Sequence, residues 1–209
     1  MKNNSVAIKA LALGTAACAA YLVGIRPRQL RWGATDEEAA RALPGDEVVA
    51  RPTFNATRAL TVEARPEDIW PWLVQMGFHR AGWYSYDWID NGGRPSAERI
   101  IPDLQEVHVG DYLPMRADGK VGVWVKDFDP DRWLLWWDKK GDTTWLWQLD
   151  PLDARHTRLI SRLRMRYHWT SPGMLLLLLV DVGDVIMMRK CMLGIKRRAE
   201  RAARQRTAA

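Results

Sequence analysis

Asp181 and Asp184 stand three positions apart in a stretch that is otherwise apolar from Met174 onward. On a helix this spacing puts both carboxylates on one face, beside Met174, Leu177 and Met188. Three and four positions on from Asp181 come Asp184 and Val185, and from Asp184 come Met187 and Met188, so neither acid has a helical cation. Any ion pair must come from another element. A carboxylate held among apolar groups has a raised pKa and can give or take a proton. The plainer alternative is a bond to backbone, arginine or water.

A second constellation is aromatic. Trp83, Tyr84, Tyr86 and Trp88 alternate with, or adjoin, Arg80, Asp87 and Asp90. Flat apolar surfaces mixed with a few orienting polar groups suit the rim of a site for a hydrophobic small molecule, or else a packed loop over the core. Asp184, Asp87 and Tyr84 are the candidates for proton transfer. No HExxH, CxxC, GxGxxG or P-loop pattern occurs, and His79, His108, His156 and His168 are scattered, so no metal and no cofactor is expected. Cys18 and Cys191 lie in apolar stretches far apart and suggest no disulfide framework.

These residues need elements to position them. Thr53 to Val62 reads as a strand. Asp68 to Met76 reads as a short helix closed by Gly77, begun at Asp68 because Pro71 suits only a first turn. Thr35 to Leu43 reads as a helical piece capped by Thr35, and Val107 to Leu113 as a strand. Val121 to Lys126, Trp133 to Asp138, Thr143 to Leu149 and Thr157 to Tyr167, separated by turn-type segments, predict an antiparallel meander. A helix is predicted over about 172 to 205.

The simplest hairpin registers set Val125 opposite Trp133, Leu135 opposite Trp145, and Trp147 opposite Leu159. Odd-numbered residues then share one apolar face, with Leu135, Trp137, Trp145, Trp147 and Leu163 as candidate walls for a ligand beneath the last helix. The even-numbered face carries Arg158, Arg162, Arg164 and Arg166 and reads as solvated. A row of Trp124, Leu134, Leu146 and Ile160 crosses it and needs cover, from residues 32 to 52 or from a partner or membrane.

The segments Trp70 to Gly77 (WPWLVQMG), Ala81 to Asp87 (AGWYSYD), Trp133 to Asp138 (WLLWWD) and Met187 to Arg198 (MMRKCMLGIKRR) sit in this order of elements, and together they resemble the SRPBCC superfamily. That group has the START-like helix-grip fold and includes polyketide cyclases and lipid-transfer proteins. The resemblance covers about residues 53 to 205. It implies an α+β domain, a curved antiparallel sheet wrapped around a long C-terminal helix, and an apolar ligand enclosed between them.

The net charge of +6 is unevenly spread. Residues 1 to 31 carry five basic groups and no acid, and residues 196 to 209 carry a net +5, which leaves residues 32 to 195 at −4. A nucleic-acid groove needs its positive charge on the folded surface, so no nucleic-acid partner is expected. Basic flanks beside an apolar segment suit anionic lipid headgroups. Ala10 to Ile25 is uncharged over 16 residues and reads as a membrane anchor, with a cleavable signal peptide as the rival. Arg26, Arg28 and Arg31 after it, against Lys2 and Lys9 before it, place the domain on the cytoplasmic side of a single-pass arrangement.

The division expected is therefore an anchor with basic flank (1–31), a linker (32–52), the helix-grip domain (53–205) and a tail (206–209). Three functions remain open: a membrane-tethered binding or carrier domain for a lipid or polyketide-like molecule, a polyketide cyclase or dehydrase-like enzyme, and a solid-cored interaction domain filled by its own twelve tryptophans.

Overall fold

The computed structural model describes residues 13, 14, 16, 19 to 166 and 174 to 207. In chain order the elements are a π-helical turn Tyr21–Ile25, α1 Arg26–Leu30, α2 Asp36–Ala40, β1 Phe54–Val62, α3 Pro66–Val74, α4 Asp87–Asp90, a 3-10 turn Pro102–Leu104, β2 Tyr112–Pro114, β3 Gly122–Asp129, β4 Trp133–Trp137, β5 Thr143–Pro151, β6 Thr157–Met165 and α5 Met174–Thr207. The six strands form one antiparallel sheet in the order β1-β6-β5-β4-β3-β2. β1 closes onto β6, and α5 lies across one face. This arrangement fits the helix-grip architecture expected from the sequence.

Two boundaries differ from expectation. α3 begins at Pro66 and keeps Pro71 inside it. Pro66 needs no amide partner at the first position, and the carbonyl left free by Pro71 is in the first turn. The strand expected over Val107 to Leu113 shrinks to Tyr112–Pro114. The anchor expected at Ala10 to Ile25 lies partly outside the described residues, and Tyr167, Pro172 and Cys18 lie outside them. Among the described residues no helix is long and apolar enough to cross a membrane.

The register corrects the reading of one strand. Val125 pairs with Trp136 rather than Trp133, and a bulge between Val125 and Asp127 leaves Lys126 unpaired. Leu135 pairs with Leu146 rather than Trp145. A one-residue slip flips every side chain of a strand, and slips on both sides of β4 invert that strand alone. Leu134 and Trp136 therefore face α5, while Leu135 and Trp137 face outward. Val123, Val125, Trp145, Trp147, Leu149, Leu159 and Leu163 keep the expected face. Trp147 pairs with Ser161 rather than Leu159, a shift of two that changes no facing.

α5 presents Met188, Cys191, Met192, Ile195 and Ala199 to this face at helical spacing, all buried. Ile69, Trp72, Leu73 and Val74 of α3 join the same core. At its centre the tryptophans pack on one another. Trp136 meets Trp145 edge-on at 5.1 Å and Trp147 lies 5.4 Å from Trp145.

The outer face is exposed at Arg166 but covered at Arg158, Arg162 and Arg164. Leu43 and Ala34 from the 32–52 segment cover Ala59, Leu135, Leu146 and Ile160, so that part of the apolar row is capped from within the chain, with Leu135 in place of Leu134, while Trp124 lies against Tyr112 and Lys139. The arginines beside it fasten the cover. Arg162, 2% exposed, donates to Asp46 at 2.6 Å and to the carbonyls of Glu38, Ala39 and Arg41. Arg158 reaches Glu38 at 2.6 Å and Arg164 reaches Asp46 at 2.9 Å. The expected linker is thus packed structure. α2 within it starts with a capping box, in which the Thr35 hydroxyl accepts from the Glu38 amide and the Glu38 carboxylate accepts from the Thr35 amide.

Candidate functional site

Beyond the tryptophan cluster, toward the end of the sheet where β6 finishes and α5 starts, the two layers separate. They enclose a cavity of about 450 Å³. The sheet supplies Val123, Thr143, Trp145, Leu163 and Met165, and α5 supplies Gly183, Asp184, Met187, Met188 and Cys191. The loop around Trp83 and Ser85, then Ile89 and Asp90 of α4, close the third side, with Met115 beside them. Ile89 and Met115 are also among the exposed large apolar residues, so the cavity reaches the surface there. The walls are mostly apolar, and Trp83 stacks on Trp145 at 5.7 Å with 14° between the rings.

The loop wall is held close to the helix by an unusual backbone. Tyr84 has φ +57°, a left-handed conformation that is uncommon outside glycine. Its amide donates to the Ser96 hydroxyl at 3.0 Å. The Tyr84 hydroxyl accepts from Gln75 at 3.0 Å and donates to the Trp72 carbonyl at 3.1 Å. α5 approaches this loop at Gly194, where a Cβ would stand 2.3 Å from the Tyr84 carbonyl oxygen.

The two carboxylates of α5 find their cations outside the helix. Asp184 pairs with Arg58 of β1 at 2.7 Å, and Asp181 with Arg26 of α1 at 2.5 Å. Arg58 is 2% exposed and also donates to the Gln29 carbonyl at 3.2 Å, which ties α1, β1 and α5 together. Burial raises the Asp184 pKa, and the Arg58 guanidinium opposes that rise. At Asp90 burial pushes the pKa up to about 6; the neighbouring Ser85 hydroxyl lowers it and Asp87 adds to the rise.

Of the residues singled out by sequence, the structure brings Trp83, Trp145, Leu163 and Asp184 together on the cavity wall. The others go elsewhere. Tyr84 is buried in the main core, where burial drives its phenol well above the usual range. Asp87 accepts from the Ser96 amide at 3.0 Å and the Ser96 hydroxyl at 2.5 Å, which fixes the loop. Tyr86 sits under Lys190 at 5.1 Å, and Trp88 is 75% exposed. Trp147 is fully buried behind Trp145, while Leu135 and Trp137 lie on the outer face by the inversion of β4. Asp181 belongs to the clamp on α1.

Sequence reasoning set Met188 beside the two acids but named neither it nor Met187 and Cys191 as a ligand wall, although the three follow Asp184 at three, four and seven positions and so share its helical face. Among the described residues no group of three or more His, Cys, Asp or Glu is placed to hold a metal ion.

No protein-family model and no curated protein matches this sequence. Solved structures with a similar chain path include a conserved protein from Enterococcus faecalis, at 12% identity over 78% of this chain and 95% of that one with a TM-score of 0.43. A protein from Thermobifida fusca is similar at 13% identity over 71% and 94%, with a TM-score of 0.44. DynU16, from the dynemicin biosynthetic locus, is similar at 15% identity over 67% of this chain and 46% of that one, with a TM-score of 0.40.

Proposed function

We propose that this protein is a binding or carrier domain for an apolar small molecule, held between the sheet and the C-terminal helix. The observation that carries the reading is the cavity of about 450 Å³, within the range of roughly 300 to 1,000 Å³ usual for ligand sites. A domain filled entirely by its own tryptophans would leave no such space. The resemblance to the SRPBCC superfamily, carried by WPWLVQMG, AGWYSYD, WLLWWD and MMRKCMLGIKRR, supports a ligand in this position.

A proton-transfer enzyme is less well served. Asp184 touches the cavity but is neutralised by Arg58, Tyr84 is hydrogen-bonded away from it, and Asp87 is held by Ser96. Residues 10 to 25 and the basic ends are read as the attachment to a membrane, which would set the cavity near a source of apolar molecules.

Native mass spectrometry of the protein, purified in detergent, tests the ligand. A retained apolar molecule is expected. Leu163→Trp, which fills the cavity from β6, should expel it. A protein that carries no such molecule and binds no lipid-like compound would refute the reading. Asp184→Asn separates carrier from cyclase. A carrier keeps its ligand, whereas turnover resting on that carboxyl would fall by about 10² to 10⁴-fold.

A further inference from the structure

The carboxylates around the cavity all have partners except one. Asp87 is bonded to Ser96, Asp181 to Arg26 and Asp184 to Arg58. Asp90 lines the cavity, and both of its carboxylate oxygens are buried without a hydrogen-bond partner among the described residues. The Ser85 hydroxyl, on the same wall, donates to the Met187 carbonyl at 3.1 Å. Asp90 has no counterion, and the Ser85 hydroxyl and the Tyr86 and Asp90 amides near it lower its pKa without closing a well-formed hydrogen bond on either oxygen, which costs free energy in the empty protein. The rest of the wall does not supply what is missing, because the charges of Asp184 and Arg58 cancel.

We propose that the cavity takes an amphiphilic amine, with its hydrocarbon along Trp83, Trp145, Leu163 and Met188 and its protonated nitrogen on Asp90. This rests on the cavity being a binding site. A protonated amine supplies both what the carboxylate lacks: hydrogen-bond donors and an opposite charge. Two indole rings on the same wall add to the attraction for a cation. A fatty acid would bring a second negative charge, and a ketone would need Asp90 protonated.

The groups facing Asp90 are few. Asp87, on its own helix, raises its pKa. From α5 comes Cys191, whose thiol is kept neutral by burial. Lys190 of the same helix lies over the Tyr86 ring at 5.1 Å. With a pKa of about 6, Asp90 is ionised at neutral pH and loses its charge on acidification through that value.

The test titrates the full chain with decylamine, decanol and decanoate, read by tryptophan fluorescence and calorimetry at about pH 7.5 and about pH 5, where the probe amine stays protonated as lysine does. At the higher pH decylamine should bind roughly tenfold or more tightly than decanol. That preference should shrink at the lower pH, and Asp90→Asn should remove it while decanol still binds. Should Asp90→Asn fail to fold, the pH dependence of the unaltered protein still decides.

Decanol or decanoate binding as well as decylamine, or a preference for decylamine that survives acidification, would overturn the assignment of Asp90 and leave the cavity reading standing. Binding of none of the three would overturn both.

Discussion

The same substitution made twice on α5 should change stability in opposite directions. At Gly194 a methyl group would lie 2.3 Å from the Tyr84 carbonyl oxygen, 2.8 Å from its Cβ and 3.2 Å from its carbonyl carbon. Tyr84 cannot easily retreat, since its hydroxyl is tied to Gln75 and Trp72 and its amide to Ser96. At Gly183 the added methyl meets nothing within 4 Å.

Alanine gains about 1 kcal/mol over glycine inside a helix, and overpacking costs about 1 to 3 kcal/mol, more when backbone must move. Gly183→Ala is therefore expected to stabilise by up to about 1 kcal/mol, and Gly194→Ala to destabilise by up to about 2 kcal/mol net of that gain. At roughly 2 to 4 °C per kcal/mol for a domain of this size, the two melting temperatures should separate by about 2 to 12 °C, the overpacking cost alone. Thermal melts followed by circular dichroism, with denaturant titration as the check, read the difference. Gly194→Ala matching or exceeding Gly183→Ala would show that the Tyr84 loop does not press on α5. Because that loop also carries Trp83, Gly194→Ala should weaken ligand binding as well.

Arg58→Met should cost about 3 to 5 kcal/mol at neutral pH in denaturant unfolding, because it leaves Asp184 buried without its cation. The Asp184 pKa is already raised by burial, so stability linked to this carboxyl is full at low pH and falls as pH rises through the raised value. The defect of Arg58→Met should accordingly shrink on acidification, and a defect independent of pH would refute the role given to the pair. Tyr84→Phe should lose about 1 to 3 kcal/mol in the same assay, since Gln75 and the Trp72 carbonyl are left buried without their partner. The full-length protein should sediment with membranes after a high-salt wash, and a chain beginning at Trp32 should not; recovery of the full-length protein in the supernatant would remove the anchor.

Much of the sheet was legible because strands and turns announce themselves locally. Alternating apolar residues in β3, β5 and β6 fixed which side faces the core. The helical period of Met188, Cys191, Met192 and Ile195 fixed the buried stripe of α5. β4 offered no such signal. Trp133 to Trp137 is apolar at every position, so its facing depends on the bulge at Lys126 and on the length of the following turn, and neither leaves a pattern in the residues themselves.

The outer face misled for a related reason. Arg158, Arg162 and Arg164 read as solvated because long cationic side chains usually are, yet each is bonded to the segment folded over it. Asp181 and Asp184 are legible in the sequence as carboxylates with no helical partner, so their cations must come from other elements. Arg26 and Arg58 lie more than a hundred residues away and only the tertiary fold brings them in.

The cavity, too, is decided only by the tertiary fold. Residue types fixed that the surface between sheet and helix is apolar and rich in tryptophan. Whether those side chains meet or leave a space depends on the separation of two layers and on how closely the Tyr84 loop approaches Gly194. Those distances are set by backbone geometry across the whole domain, and a periodicity of two or 3.6 residues carries no information about them.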